Sequence, residues 1–183
     1  RIGIEASLTG HLVLSTLHTN DAPESVTRLI ELGMDPFNFA DALLGVLAQR
    51  LARALCPDCR KPHKLGEEEV TLLLKEFCDG TPLAPEEVRK RWESSYGDKR
   101  GQLTLYEAGR CEKCANRGYR GRVAVHELLV NSRAIKALIQ THARVEDILK
   151  TALSEGMLTL KQDGIEKALQ GKTDLVQVRA VTG

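Results

Sequence analysis

The sequence predicts an α/β fold, on three observations. An apolar, β-rich run, His11–His18, lies between stretches of helical periodicity. Two Cys-x-x-Cys pairs, Cys56/Cys59 and Cys111/Cys114, bracket a segment of different texture. Beyond residue 131, capping residues and glycines punctuate a series of short helices.

From the first residue, Arg1 to Leu8 reads as the end of a helix, with Gly10 where a C-terminal cap falls. His11–His18 follows as a strand, and its nearly unbroken apolar character fits one covered on both faces. Asp21 is an N-cap and Pro23 lies in the first turn of a helix that carries Val26, Leu29 and Ile30 and ends near Gly33. Asp35-Pro36 opens another helix in the same way. Phe39, Leu43, Leu47 and Leu51 recur at helical spacing, widened by Leu44, Ala48 and Leu55, so this helix is predicted to run as far as Cys56. Helices are predicted from Glu67 through Phe77 and from Pro85 through Trp92, with short strands at Gln102–Tyr106 and Val123–Val130. Ser132 caps a helix through Ile139, and another runs from Val145 to Leu153 and stops at Gly156. Thr159 and Gln162 form a capping box for a helix ending at Gly171, and Asp174–Val181 reads as a last short helix.

Composition narrows the function classes. The 183 residues suffice for one or two domains. Lys plus Arg number 26 and Asp plus Glu 25, a formal net charge of +1. A dedicated nucleic-acid binder carries a strong basic excess, so no nucleic-acid partner is expected. A polybasic membrane module is disfavoured on the same ground. The longest greasy stretch, Ala40–Leu55, is interrupted by Asp41, Gln49, Arg50 and Arg53, and falls short of the ~18 apolar residues of a spanning helix. The sequence shows no secretory signal pattern and opens at Arg1 inside a helix, so a piece of a longer, cytoplasmic protein is expected. Five cysteines without such a signal suit a reducing compartment and metal binding better than a disulfide framework.

Each Cys-x-x-Cys pair presents two thiolates on one tight turn. Two such knuckles supply four soft ligands in a tetrahedron, which suits Zn²⁺ with Zn–S near ~2.3 Å. Cys56, Cys59, Cys111 and Cys114 are therefore the candidate metal ligands, and four thiolates close the shell, so the ion is structural. The 51 residues from 60 to 110 exceed the spacing of a simple zinc ribbon, but a longer loop adds only ~0.6 kcal/mol of closure entropy per doubling. The competing explanation is two unrelated pairs, one of them redox-active. His63 is an alternative fourth ligand, and Cys78 reads as a packed small hydrophobe.

His11 and His18, if extended, lie roughly 23 Å apart at ~3.3 Å per residue and face opposite ways, so they do not share a metal. His18 falls at the carboxyl end of the run, where open α/β sheets bind ligands, with Thr16 beside it. An imidazole N–H there can donate to an anion, although from the residues alone a histidine satisfied by a strand-end carbonyl is the favoured explanation.

The string Leu8-Thr9-Gly10-His11-Leu12-Val13-Leu14-Ser15-Thr16-Leu17-His18-Thr19-Asn20-Asp21-Ala22 resembles the histidine box of the secretion superfamily ATPases. These are RecA-like hexameric motors of type II secretion and type IV pilus assembly. Ala48-Gln49-Arg50-Leu51 resembles the next signature of that family. The two cysteine knuckles, with Gly118-Tyr119-Arg120-Gly121-Arg122 and Glu127, resemble its zinc-bearing assembly branch, and Gly156–Gly164 with Gly171–Thr173 its C-terminal end.

The resemblance implies an α/β chain comprising the C-terminal part of a RecA-like P-loop ATPase core, then a zinc-binding subdomain, then a small helical subdomain. Its expected bounds are 1–55 for the core with the histidine box, 56–130 for the zinc subdomain with a helical insert at 64–108, and 131–183 for the helical end. It implies His18 as the γ-phosphate sensor and His11 as its companion. Thr16 and Arg50 become weaker candidates for the nucleotide or a subunit interface, Arg50 being equally a solvated arginine. It further implies ATP and Mg²⁺ as cofactors of the full-length protein beside structural Zn²⁺. The implied setting is a homo-hexamer on inner-membrane platform proteins, peripheral to the bacterial inner membrane. The phosphate-binding loop G-x-x-x-x-G-K-[ST] is not in this chain, so the chain alone is expected to be inactive. The alternative function is a non-catalytic zinc module that docks a partner.

Overall fold

A computed structural model describes residues 2–183. The described residues mix helices with strands that form two small two-stranded sheets, consistent with the α/β expectation. The chain divides into two compact units, one of residues up to Ala48 with Glu127–Met157, the other of Gln49–His126 with Leu158–Gly183.

The first unit contains α1 (Ile2–Leu8), α2 (Ala22–Glu31), α3 (Pro36–Ala42), α6 (Arg133–Gln140) and α7 (Val145–Ser154). The caps read from sequence form as expected. Asp21 accepts the Glu24 N–H at 2.8 Å, Asp35 accepts the Asn38 N–H at 2.8 Å, and the Ser132 hydroxyl accepts the Ile135 N–H at 3.2 Å. The apolar faces of these helices converge on a core of Val26, Phe39, Ile135, Ile139, Ile148 and Leu153. Leu129, from strand β4 (Tyr119–Val130), is fully buried in the same core.

Two elements depart from the sequence-based expectation. The helix opened by Asp35-Pro36 ends at Ala42, and residues from Gly45 to Leu55 form strand β1, which pairs with β4. The reason is arithmetic. A spacing of four residues is close to one helical turn and is also two strand repeats, so Leu43, Leu47, Leu51 and Leu55 satisfy both periods. Tertiary contacts break the tie. The Asn131 side-chain amide donates to the carbonyls of Ala40 and Leu43, at 2.9 and 2.7 Å, and its backbone N–H to Leu44. These bonds hold the end of α3 against the end of β4. Leu47 and Leu51 then face outward, 57% and 48% exposed, while Ala52 turns inward.

The second departure is residues 11–19, which adopt no regular element although the run was expected to be a strand. Leu12 and Leu14 are 75% and 88% exposed. An apolar run becomes a strand only when neighbours take up its N–H and C=O groups, and no strand among the described residues does so.

The second unit gathers β2 (Lys61–Lys64), α4 (Glu67–Cys78), α5 (Pro85–Tyr96), β3 (Thr104–Glu107), α8 (Leu160–Leu169) and α9 (Leu175–Thr182). Strands β2 and β3 pair antiparallel, from Lys61 opposite Glu107 to Lys64 opposite Thr104. They close the base of the insert at 64–108. Its two helices pack through Phe77 against Trp92, ring centroids 4.9 Å apart and edge to face. Glu166 of α8 fastens α5 by accepting from Arg91 (2.5 Å), the Trp92 indole (3.2 Å) and the Tyr96 hydroxyl (3.0 Å). Thr159 and Gln162 make the expected capping box on α8, and the Gln162 amide, itself buried, donates to Phe77 O at 2.9 Å. Among the described residues no helix is long and apolar enough to cross a membrane.

Asp174 caps α9 through the Gln177 N–H and also accepts the Tyr119 hydroxyl at 2.6 Å. Burial, followed by the Asp174 carboxylate, pushes the Tyr119 phenol up to about 12. The native state therefore keeps this proton longer than the unfolded chain, in which a tyrosine titrates near ~10. The bond contributes stability below about pH 10, and that contribution is lost as pH rises toward about 12. An alkaline titration followed by phenolate absorbance should show a step near pH 12 that is missing in Tyr119→Phe. Its persistence in that variant would assign the step elsewhere.

Candidate metal centre and the histidine segment

Cys56 and Cys59 lie in the turn that follows β1, and Cys111 precedes and Cys114 ends a 3-10 turn, Glu112–Cys114, before β4. The two knuckles meet across 55 positions of sequence. Cys56 Sγ is 3.8 Å from Cys111 Sγ, Cys59 Sγ is 3.8 Å from Cys114 Sγ, and Cys111 Sγ is 3.6 Å from Cys114 Sγ. All four sulfurs fall within 4.8 Å of one another. A tetrahedron with Zn–S of ~2.3 Å has S···S edges of roughly 3.8 Å, so the donor set fits a single zinc-sized ion in both chemistry and size. Cys56 and Cys114 are buried, and Cys59 and Cys111 half-buried. Among the described residues this is the group of histidines, cysteines and carboxylates able to hold a metal. His63 stands outside it and pairs with Glu69 at 2.7 Å.

The backbone is drawn tightly around the sulfurs. The Gly118 N–H donates to Cys114 Sγ at 3.2 Å, while the Gly118 carbonyl accepts the Cys56 N–H at 2.9 Å. One residue thus ties both knuckles together. Gly118 has φ +77°, and a Cβ there would meet Ala108 and the Gly109 carbonyl within 2.7 Å. Gly109 passes so close to the Cys59 carbonyl that any side chain would overlap it. Outside the sulfurs, Asp58 bridges the knuckles by accepting from Lys113 at 2.5 Å and pairing with Arg120 at 3.9 Å. Lys113 holds the Asp58 carboxyl below the usual carboxylate range.

Cys59, Cys111 and Cys114 do not ionise alike. Burial opposes ionisation of Cys114, but hydrogen bonds to the backbone at Cys111 and Gly118 outweigh it and bring this thiol down to about 6. Burial and the neighbouring sulfurs push Cys59 up to about 12, and burial raises Cys111 as well. A divalent cation bound by these sulfurs would release their thiol protons, since the thiolate is the ligand form.

The histidine segment is built differently. His11 closes α1, with Nδ1 3.2 Å from Ala6 O and 3.3 Å from Thr9 Oγ1. Thr16 and His18 are exposed. Arg50 lies partly exposed on β1, its guanidinium 3.4 Å from Gln49 O. Beyond residue 18 the chain is fixed firmly. Thr19 and Ser25 share a short hydroxyl hydrogen bond, the Ser25 hydroxyl also donates to Asp21 O (3.0 Å), and Glu24 accepts the Asn20 N–H (3.0 Å). Sequence reasoning assigned no role to Asp58, Gly109 or the Glu166 acceptor. Asp58 carried one weak signal, a charge inside the first knuckle opposite Lys113 inside the second.

A family model for type II/IV secretion system proteins matches residues 1–180. The type II secretion system ATPase E of Vibrio cholerae is 42% identical over 182 residues, covering 100% of this chain and 32% of that protein. Type IV pilus assembly ATPase PilB of Myxococcus xanthus is 41% identical over 177 residues, covering 97% of this chain and 28% of that protein. PilB of Thermus thermophilus is 42% identical over 182 residues, covering 100% and 18%. The chain thus spans about a third or less of the length of these relatives.

Gly118→Ala should lower the unfolding free energy by at least ~1–3 kcal/mol through backbone strain alone. Denaturant unfolding measures it, and an unchanged midpoint would mean that the junction tolerates a Cβ.

Proposed function

The chain belongs to the type II/IV secretion system protein family, and from that premise we propose that it is the C-terminal part of a hexameric ATPase that powers type II secretion or type IV pilus assembly. The supporting observation is end-to-end similarity at about 40% identity to proteins named as secretion and pilus assembly ATPases. A non-catalytic docking module is not favoured, because the relatives covering this chain carry ATPase names.

In this proposal residues 1–55 are the end of a RecA-like core, 56–130 a zinc subdomain with the insert 64–108, and 131–183 a helical subdomain. Hydrolysis by such a motor depends on positioning and charge stabilisation rather than covalent chemistry. Phosphate binding and water activation fall to parts of the protein outside these 183 residues. His18, exposed on a segment outside any helix or strand, can donate an imidazole N–H to a γ-phosphate brought beside it, with Thr16 as a second donor. Arg50 contacts nucleotide or a neighbouring subunit, and His11 holds the other end of the segment to α1. The protein works at the cytoplasmic face of the inner membrane on platform proteins. Cys56, Cys59, Cys111 and Cys114 hold Zn²⁺ with no open position, so the ion staples and takes no part in hydrolysis.

Two outcomes test these assignments. His18→Ala in the full-length protein should lower ATP turnover on the order of 10²-fold, the scale of one lost donor to developing charge, with little change in melting temperature. Full turnover in that variant would remove His18 from the site. Freshly purified protein should carry one zinc per chain, and chelation should speed amide exchange across residues 56–130. Less than half an equivalent by elemental analysis would count against the metal.

A further inference from the structure

Glu127 of β4 is 3% exposed, a buried carboxylate in the first unit that the proposed reaction does not use. Its Oε1 accepts the Ala22 N–H at 2.8 Å across 105 positions of sequence. Ala22 is the first residue of α2 and fully buried. That N–H is one of the donors a helix leaves unpaired at its amino terminus, where the helix dipole also favours negative charge. A charge-assisted bond buried in this way is worth more than a neutral one, and strongly fixes the two atoms it joins.

The amino terminus of α2 is what residue 18 hangs from. Residues 11–19 form no ladder with any described strand, so His18 is located through the covalent chain on either side. On the carboxyl side three residues separate it from Ala22, and every one of them is engaged. Thr19 bonds Ser25, Asn20 donates to Glu24, and Asp21 caps the Glu24 N–H. These bonds join the segment to α2 but say nothing of where α2 itself begins. Glu127 supplies that reference, because it lies on β4, whose neighbouring Leu129 is locked in the core.

We propose that Glu127 is a positioning residue for His18, acting through the amino terminus of α2. The proposal rests on the reading of His18 as the phosphate-contacting residue. A displacement of α2's first turn is passed to His18 over three engaged residues, and a misplaced donor costs turnover more than it costs binding of the bulk of the nucleotide.

The test is a double-mutant cycle on ATP turnover in the full-length protein, using His18→Ala and Glu127→Gln. Glutamine keeps an oxygen to accept the Ala22 N–H and loses the charge, so folding is preserved better than by truncation. Glu127→Gln alone should lower kcat about fivefold, the difference between a charged and a neutral acceptor, with KM for ATP within about twofold. In the His18→Ala background the same substitution should change kcat by less than about twofold, because the residue it acts through is already gone. Equal losses in both backgrounds would make Glu127 a general stabiliser and overturn the proposal, as would unchanged kcat in the single variant. Glu127→Asp, which restores charge on a shorter stem, should recover part of the loss, and loss greater than that of Glu127→Gln in both backgrounds would likewise overturn it. If His18→Ala alone keeps full turnover, the sensor assignment fails as well; if only additivity is seen, that assignment stands and the Glu127 link alone falls.

Discussion

The meeting of two knuckles 55 positions apart constrains the second unit more than any other contact. A helical insert, residues 64–108, leaves the chain at the first knuckle and returns at the second. Closing so long a loop costs entropy that grows only slowly with length, but it must be offset at one place. The four sulfurs, the paired bonds at Gly118 and the Asp58 bridge all fall at that place. The four sulfurs lie close enough together to hold one ion, and an ion bound there would add its binding free energy to the closure of this loop. Above the junction, β2 with β3 and the Phe77–Trp92 contact give the insert its own rigidity, and Glu166 ties it to α8. The insert is thus a clamped element rather than a loose excursion.

The first unit obeys another constraint. Its helices share one core, but residues 11–19 contribute nothing to it and expose leucines. A segment of this kind takes its position from its ends. His11 ties one end to α1, and the cluster from Thr19 to Ser25, referenced to β4 by Glu127, ties the other. His18 therefore sits on backbone with few bonds of its own between two strongly bonded anchors. Such segments open at low free-energy cost.

Much of this was legible in the residues. N-caps at Asp21, Asp35, Ser132 and Thr159 act through local hydrogen bonds, so their positions follow from sequence alone. The cysteine spacing pointed to a four-sulfur cluster, because thiol chemistry and tight turns are local properties too. Asp58 was harder to see, since its partners Lys113 and Arg120 lie more than fifty residues away. Glu127 and Glu166 look like ordinary surface carboxylates until the fold brings a helix terminus to one and three donors to the other.

By itself the sequence determined the family, the helix boundaries set by caps, and the two cysteine knuckles, because motif, cap and knuckle are each decided by residues close together in sequence. Only the tertiary structure decided that 45–55 is a strand and that 11–19 is not. A four-residue apolar spacing satisfies two periods equally, and β-propensity counts for nothing until a neighbouring strand accepts the hydrogen bonds.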